Sequence, residues 1–186
     1  MITIPSSGLW GTIAEYLNLN FGEVHNVGSL EYTFKPTVHL PLTNAWQVVA
    51  GEWEESVSPI GGSLDPVTGV ATINTTGRWS TTLERIYHQH DVNPSSPVVV
   101  SIKIQASMNG TDWVDSTFER SSQISTATAN DEPAILTFTS NGFIDIVGTP
   151  SYFRVLVKGE EGAASPAETD LALLKVSANI IGHVPD

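Results

Sequence analysis

Two histidines separated by one residue are the first candidates for chemistry. In His88-Gln89-His90-Asp91, the two imidazoles share a face if the segment is a strand, and Asp91 could add a third metal ligand. Enzymes that bind a metal through such a pair also need a Glu a few residues further on and a later His. Here Val92-Asn93-Pro94 comes next, and the other three histidines stand in no matching context. We therefore expect no metal site and predict surface or interface histidines at a strand end.

A second candidate is Asp112-Trp113-Val114-Asp115, which comes after the dipeptide Asn109-Gly110. Its carboxylates could bind Ca²⁺, and the indole could stack on a sugar ring. Packing within a hairpin is the alternative explanation for a tryptophan beside a tight turn, and it is the one we favour.

Enzyme motifs are missing from the sequence. It contains no Gly-x-Ser-x-Gly segment, no glycine-rich loop between strand and helix, and no short motif of paired carboxylates. Cysteine is absent, which excludes disulfides and thiolate chemistry. We therefore predict a protein that is not an enzyme and needs no cofactor.

The charge of the 186-residue chain limits its partners. It carries 20 acidic and 8 basic residues, for a net charge of −12, and binding to nucleic acid requires a basic surface that this composition cannot supply. No apolar run is long enough to cross a membrane, and the N-terminus has no basic region followed by an apolar one. We predict neither a nucleic-acid partner nor membrane insertion.

Short β-strands are the elements that would position these residues. Apolar and polar side chains alternate from Pro97 to Met108, which predicts a half-buried strand, and Asn109-Gly110 then predicts a hairpin over Gln105–Phe118. Turn residues, among them Asn141-Gly142, separate the other candidate strands. These are Glu31–Leu40, Trp46–Glu54, Val70–Thr75, Trp79–His88, Ser121–Thr128, Ala134–Thr139, Phe143–Val147, Tyr152–Lys158 and Leu171–Ile181. Eight to ten short strands predict an all-β jelly-roll sandwich, with an exposed loop over Gly159–Thr169.

One segment departs from this pattern, at the N-terminus. Between Ser6 and Phe21 the apolar side chains recur at helical spacing, which predicts a short amphipathic helix. About four turns are too few for a stable isolated helix, so the apolar stripe must dock on a partner surface. We divide the chain into residues 1–29, an attachment helix and linker, and residues 30–186, the β-sandwich head. The stripe consists of Trp10, Ile13, Ala14, Leu17 and Phe21.

Two segments resemble known families. The run Ile4-Pro5-Ser6-Ser7-Gly8, with the stripe beyond it, is similar to the opening segment of several bacteriophage tail, fibre and capsid-attached proteins. The segment from Asp65 to Trp79 resembles a strand-turn-strand unit of tumour-necrosis-factor-like and complement-head-like jelly rolls, and those domains are trimeric.

Together these resemblances imply a structural protein of the virion, assembled in the host cytoplasm. We predict a capsid decoration (cement) protein that binds the particle as a homotrimer, with the major capsid protein or other virion proteins as partners. The alternative is a tail or fibre head that binds a receptor or glycan through loops at the far end of the sandwich. The predicted attachment and interface residues are Trp10, Ile13, Leu17, Phe21 and Trp53. Trp53 is included because its acidic neighbours place it near an exposed edge.

Overall fold

The structure, a computed structural model, describes residues 28–89, 97–124, 134–162, 164–166 and 169–182. All regular elements in these ranges are β-strands. The predicted N-terminal helix and its apolar stripe lie outside the described residues. Within the described ranges there is no helix long and apolar enough to cross a membrane.

Twelve strands succeed one another along this part of the chain. They are β1 (Ser29–Phe34), β2 (Leu40–Pro41), β3 (Gln47–Val48), β4 (Trp53–Ile60), β5 (Gly62–Asp65), β6 (Val70–Ile73), β7 (Gly77–Gln89), β8 (Val98–Ser107), β9 (Val114–Ile124), β10 (Ala134–Ile146), β11 (Ser151–Glu161) and β12 (Thr169–Gly182).

The strands form two antiparallel sheets. The first has the order β10-β7-β12-β1-β4, with β2 beside β12, and the second has the order β5-β6-β11-β8-β9, with β3 beside β11. Without the peripheral strands β2 to β5, eight strands remain, and the chain repeatedly crosses from one sheet to the other along them. This arrangement is a jelly roll, so the predicted all-β sandwich is confirmed.

Side-chain alternation builds the core between the sheets. On β7 the odd-numbered residues face inward, among them Trp79 and Leu83, while the even-numbered residues are outside. On β8, Val98, Val100 and Ile102 are completely buried, in agreement with the predicted alternation. The predicted hairpin is also confirmed, because β8 pairs with β9.

The predicted turn at Asn141-Gly142 is wrong, because both residues lie inside β10. The ladder between β10 and β7 is continuous, with Asn141 opposite Thr82 and Gly142 opposite Thr81. A Cβ atom on Gly142 would lie 2.5 Å from Cδ2 of Phe118 in the other sheet. The glycine therefore allows the close approach of a ring instead of making a turn.

Three predicted boundaries also differ. The strand expected over Glu31–Leu40 ends at Phe34, and the one expected over Trp46–Glu54 is split into β3 and the start of β4. The split falls where Gly51 and Glu52 adopt positive φ angles of 74° and 45°. The Glu52 carboxylate accepts hydrogen bonds from the hydroxyl and the backbone N–H of Thr37, at 2.7 and 2.6 Å, which lower the pKa of Glu52. The return strand of the hairpin and the strand expected from Ser121 form one continuous strand, β9.

Candidate functional site

Four of the five predicted attachment residues, Trp10, Ile13, Leu17 and Phe21, lie outside the described residues. Their docking role therefore stays a prediction. The described chain begins at Gly28, whose carbonyl oxygen accepts a hydrogen bond from the N–H of Ile180 at 2.9 Å. The N-terminal segment thus joins the head beside the end of β12.

The fifth residue, Trp53, lies on the edge strand β4, as its acidic neighbours suggest, but its side chain is buried. Only 6% of Trp53 is exposed, its indole N–H donates to the Val49 carbonyl oxygen at 3.0 Å, and its ring lies 5.6 Å from that of Phe34. The neighbours Glu54 and Glu55 are exposed, but Trp53 lies opposite the buried Phe34 of β1, and its indole points into the core. A side chain this deeply buried offers almost no surface to a partner.

The histidine pair is only half described. His88 lies on the outer side of β7, and its ring centroid is 4.4 Å from that of His39 in an edge-to-face contact. His90 and Asp91 lie outside the described residues. Within the described ranges, no group of three or more His, Cys, Asp or Glu side chains lies close enough together to hold a metal ion.

The outer side of the first sheet is the first candidate interaction surface. We call the outward side chains of β7, β10 and β12, together with the free edge of β10, the open face. Ile135 and Phe143 on β10 are 65% and 64% exposed, and Ile86 lies between Thr137 and Leu173 of the neighbouring strands. An ion pair between Arg78 and Asp145, at 2.7 Å, lies at one end and lowers the pKa of Asp145.

The edge of the open face is also unprotected. β10 is 13 residues long, and in the described part of the chain it pairs with β7 only. Val147, just beyond its end, is 76% exposed. The opposite edge strand, β4, carries Glu54, Glu55 and Pro59, which are typical protections against pairing with another chain. The β10 edge is therefore the better site for contact with a second chain.

A groove of about 550 Å³ borders this edge. It lies between the β8–β9 turn and the start of β11, and its apolar lining includes Met108, Val114 and Phe153. Asp112 also lines it, but this carboxylate accepts a hydrogen bond from the Asn109 side-chain amide at 2.6 Å and so holds the turn together. The groove continues the apolar surface of the open face around the end of β10.

The outer side of the second sheet is covered by its own side chains. Lys103 on β8 and Lys158 on β11 point their ammonium groups at the ring of Trp46, at 4.5 and 5.1 Å from the centroid. Lys103 is buried although it lies on the outer side of its strand. The indole of Trp46 therefore lies over the sheet and shields the cation beneath it.

A line of polar contacts continues from this cation. Asp115 accepts hydrogen bonds from Lys103 and from the Gln105 side-chain amide, both at 2.8 Å, and these bonds lower its pKa, that from Lys103 most. The side-chain oxygen of Gln105, Oε1, accepts hydrogen bonds from both Nε and Nη2 of Arg154, at 2.9 and 2.7 Å. The guanidinium carbon of Arg154 lies 4.2 Å from the ring centroid of Trp113. We call this chain of contacts, from Trp46 to Trp113, the covered face.

Sequence reasoning identifies only part of the covered face. Trp113 and Asp115 stand out because they are two residues apart beside a turn. The contact of Trp113 with Arg154 joins it to β11, outside the predicted hairpin. The strand pattern around Trp46 predicts a core side chain instead. No local signal brings Trp46 to Lys103, because 57 residues separate them and the sheet order alone joins them.

A buried cation inside the sandwich also escapes sequence reasoning. Arg85 and Tyr87 on β7 are 1% and 0% exposed, and Arg85 donates to the hydroxyl of Ser140 at 2.7 Å. Burial lowers the pKa of Arg85 and raises the pKa of Tyr87 to about 12. The interaction between the two groups opposes both shifts. Phe138 packs against both side chains. This group is part of the core and faces neither surface.

Comparison with known proteins gives matches in structure only. No protein-family model matches the sequence, and no curated protein matches it. The crystal structure of murine APRIL at pH 5.0 matches with 12% identity and a TM-score of 0.48, over 81% of this chain and 98% of that chain. The Eiger TNF from S. frugiperda matches with 10% identity and a TM-score of 0.49, over 86% of this chain and 96% of that chain. Both matches concern the fold and carry no information on activity or partners.

Proposed function

We propose that this protein is a structural component of a bacteriophage particle, a capsid decoration protein whose heads associate as a homotrimer. The observation that carries the proposal of self-association is the open face. Exposed apolar side chains and a long unpaired strand edge occur together there, and soluble monomers usually protect such edges.

Burial of the open face would favour association. Complete burial of an exposed Ile or Phe side chain contributes about 1.5–3 kcal/mol, so Ile135, Phe143 and Val147 together offer several kcal/mol before hydrogen bonding is considered. Unpaired N–H and C=O groups of the β10 edge can add hydrogen bonds to a second copy. The trimer, as opposed to another oligomer, rests on the resemblance of the segment from Asp65 to Trp79 to trimeric jelly rolls.

The N-terminal stripe supports attachment to the particle. Trp10, Ile13, Leu17 and Phe21 belong to the segment that resembles the opening of phage virion proteins. The net charge of −12 keeps many heads soluble at the high local concentration of a particle surface. The head would then project from the particle while residues 1–29 bind the major capsid protein or another virion protein.

Mass measurement in solution tests the assembly. Light scattering of the purified chain should give three times the chain mass of 20.0 kDa. A monomer at every concentration would contradict the proposed trimer. This measurement does not depend on finding the particle.

Deletion of residues 1–29 tests the attachment. The truncated protein should remain folded and trimeric but should no longer sediment with particles, because the four large apolar side chains of the stripe are removed. The double variant Trp10→Asp, Leu17→Asp should behave in the same way. A stable truncated head that still sediments with particles would refute the attachment role, and a head that aggregates or melts at a far lower temperature would assign the segment to the core.

A tail or fibre head that binds a receptor or glycan is the second candidate. It shares the fold with the first candidate, so architecture does not separate the two. The covered face favours it, because two tryptophans lie there on the surface beside polar side chains. Localisation of the chain in a density map of the intact particle would distinguish capsid from tail.

A further inference from the structure

We propose that the covered face is a binding site for a neutral oligosaccharide, with the indoles of Trp46 and Trp113 as two stacking platforms. The inference goes beyond decoration of a capsid. It rests on the second candidate function and deepens it: the sequence suggested loops at the far end of the sandwich for the ligand, and this site lies instead on the outer side of the second sheet.

Both indoles are held in place before any ligand arrives. The ammonium of Lys103 is 4.5 Å from the Trp46 ring centroid, and only 9% of the Lys103 side chain is exposed, so the cation lies between the ring and the sheet. The Arg154 guanidinium holds Trp113 in a comparable way, and two hydrogen bonds to Gln105 fix that guanidinium. Pre-ordered side chains lose little conformational entropy when a ligand binds.

Part of each ring is open to solvent. Trp46 is only half-buried, although the ammonium groups of Lys103 and Lys158 lie against its ring. Trp113 is half-buried as well. A flat aromatic surface that faces water is suited to the C–H groups on one side of a pyranose ring.

Polar groups for sugar hydroxyls lie between the two platforms. The Asp115 side chain is 54% exposed, and each of its oxygens has one hydrogen bond to the protein, at 2.8 Å, and lone pairs remaining. Arg154 uses Nε and Nη2 for Gln105, and its Nη1 group is not needed for that contact. Acceptors and donors that are fixed by neighbours are typical of sites that orient a polar ligand.

The charges of the site favour a neutral ligand over an anionic one. Lys103 is paired with Asp115 at 2.8 Å and Lys158 with Glu160 at 3.0 Å, so both ammonium groups already have an acidic partner. The whole chain carries a net charge of −12, which repels polyanions at a distance. Four polar or charged side chains separate the two indoles, so we infer that the ligand spans more than one sugar ring.

Titration of the full chain with defined sugars tests the proposal. The probes are maltohexaose, cellohexaose and mannohexaose, each followed by tryptophan fluorescence. At least one sugar should give a saturable change that does not depend on salt concentration. Trp46→Ala and Trp113→Ala should each weaken the binding about tenfold, the loss expected when one stacking contact is removed. Asp115→Asn, which preserves side-chain shape, should weaken it as well.

Two controls make the result specific. Phe143→Ala removes an exposed aromatic ring from the open face and should leave sugar affinity unchanged even if it weakens the oligomer, so failure of this site and failure of the proposed assembly can be told apart. Melting curves will show whether each tryptophan variant is folded, and Trp46→Phe, which keeps an aromatic ring, should retain most of the affinity.

Three results would overturn the proposal. The first is the absence of a saturable signal with all three sugars. The second is equal affinity in the wild type and in folded Trp46→Ala and Trp113→Ala variants. The third is binding of a sulfated heparin hexasaccharide alone, lost at high salt, because that result would show a cationic site instead of a stacking site.

Discussion

The outer side of the second sheet is covered by the side chains of its own chain, whereas the outer side of the first sheet is left open along β10. On the covered face, Lys103 is buried beneath Trp46 and linked to Asp115. On the open face, Ile135 and Phe143 are mostly exposed. A surface whose polar groups are already paired needs no further protein, but an apolar strand edge in water does. The comparison therefore supports the proposed assembly through the open face and the proposed ligand site on the covered face.

Charge distribution reinforces this difference. Three of the eight basic residues, Lys103, Arg154 and Lys158, are gathered on the covered face, where each contacts an indole ring. The corresponding ion pairs of the open face, such as Arg78 with Asp145, are solvent-exposed and contribute little to stability. The cations of the covered face are therefore part of its packing, whereas the ion pair of the open face lies in solvent.

The largest expected effect is on the open face. Ile135→Asp combined with Phe143→Asp should convert the oligomer into a monomer, because each carboxylate would be buried without a partner at a cost of several kcal/mol. Light scattering should show a fall from three chain masses to one, and circular dichroism should show that the monomeric head is still folded. Val67→Asp is the matched control, since Val67 is similarly exposed in a turn of the second sheet and its variant should stay trimeric. A double variant that remains trimeric would show that the subunit interface does not lie on the open face.

A smaller effect, on stability at alkaline pH, should come from Tyr87 in the core between the two sheets. The pKa of Tyr87 is raised from 10.0 to about 12, so the unfolded chain loses this proton at lower pH than the folded protein. The stability that Tyr87 contributes should be fully present below pH 10 and should fall as the pH rises towards 12, by about 3 kcal/mol at most. Urea unfolding at several pH values measures the fall.

Tyr87→Phe isolates this contribution. The variant should not show the part of the stability loss at alkaline pH that Tyr87 causes. Tyr32, whose pKa is also raised by burial, titrates in both proteins. Because Tyr87 lies between the sheets, alkaline unfolding should disrupt the open and covered faces in one transition. Identical pH profiles for the two proteins would show that Tyr87 titrates normally.

The smallest effect should appear on the covered face. Lys103→Met keeps the length of the side chain but removes both the ion pair with Asp115 and the cation beneath Trp46, which should destabilise the head by about 1–2 kcal/mol. Lys35→Met, at an exposed position, should change stability by no more than about 0.5 kcal/mol. Light scattering should give the same oligomer mass for both variants as for the wild type. Equal stability of the two variants would show that the Lys103 ammonium does not stabilise the covered face.

Local sequence signals predict much of the fold. The alternation over Pro97–Met108 and the turn at Asn109-Gly110 are sufficient to place the β8–β9 hairpin, because a two-residue periodicity and a glycine turn act within a few residues. The same reasoning fails at Asn141-Gly142. There the dipeptide has the composition of a turn, but the ring of Phe118 from the other sheet requires a glycine in the middle of a strand.

The candidate surfaces are less predictable than the strands. Acidic neighbours suggest that Trp53 lies near an exposed edge, and it does lie on an edge strand, but packing against Phe34 and a hydrogen bond to Val49 hold its side chain in the core. The strand pattern around Trp46 predicts a core side chain, and the indole lies on the outside over Lys103 and Lys158. In each case the residue type is typical of strands, but the side of the sheet depends on register.

The sequence by itself determined the all-β class, the hairpin, the strong negative charge and the absence of cysteine chemistry, since these follow from composition and from contacts between near neighbours. Only the tertiary structure decided which strands are edges, which tryptophans are buried and which distant residues meet. The physical reason is that sheet order and the packing of two sheets bring together side chains such as Trp46 and Lys103, and no local pattern encodes those long-range contacts.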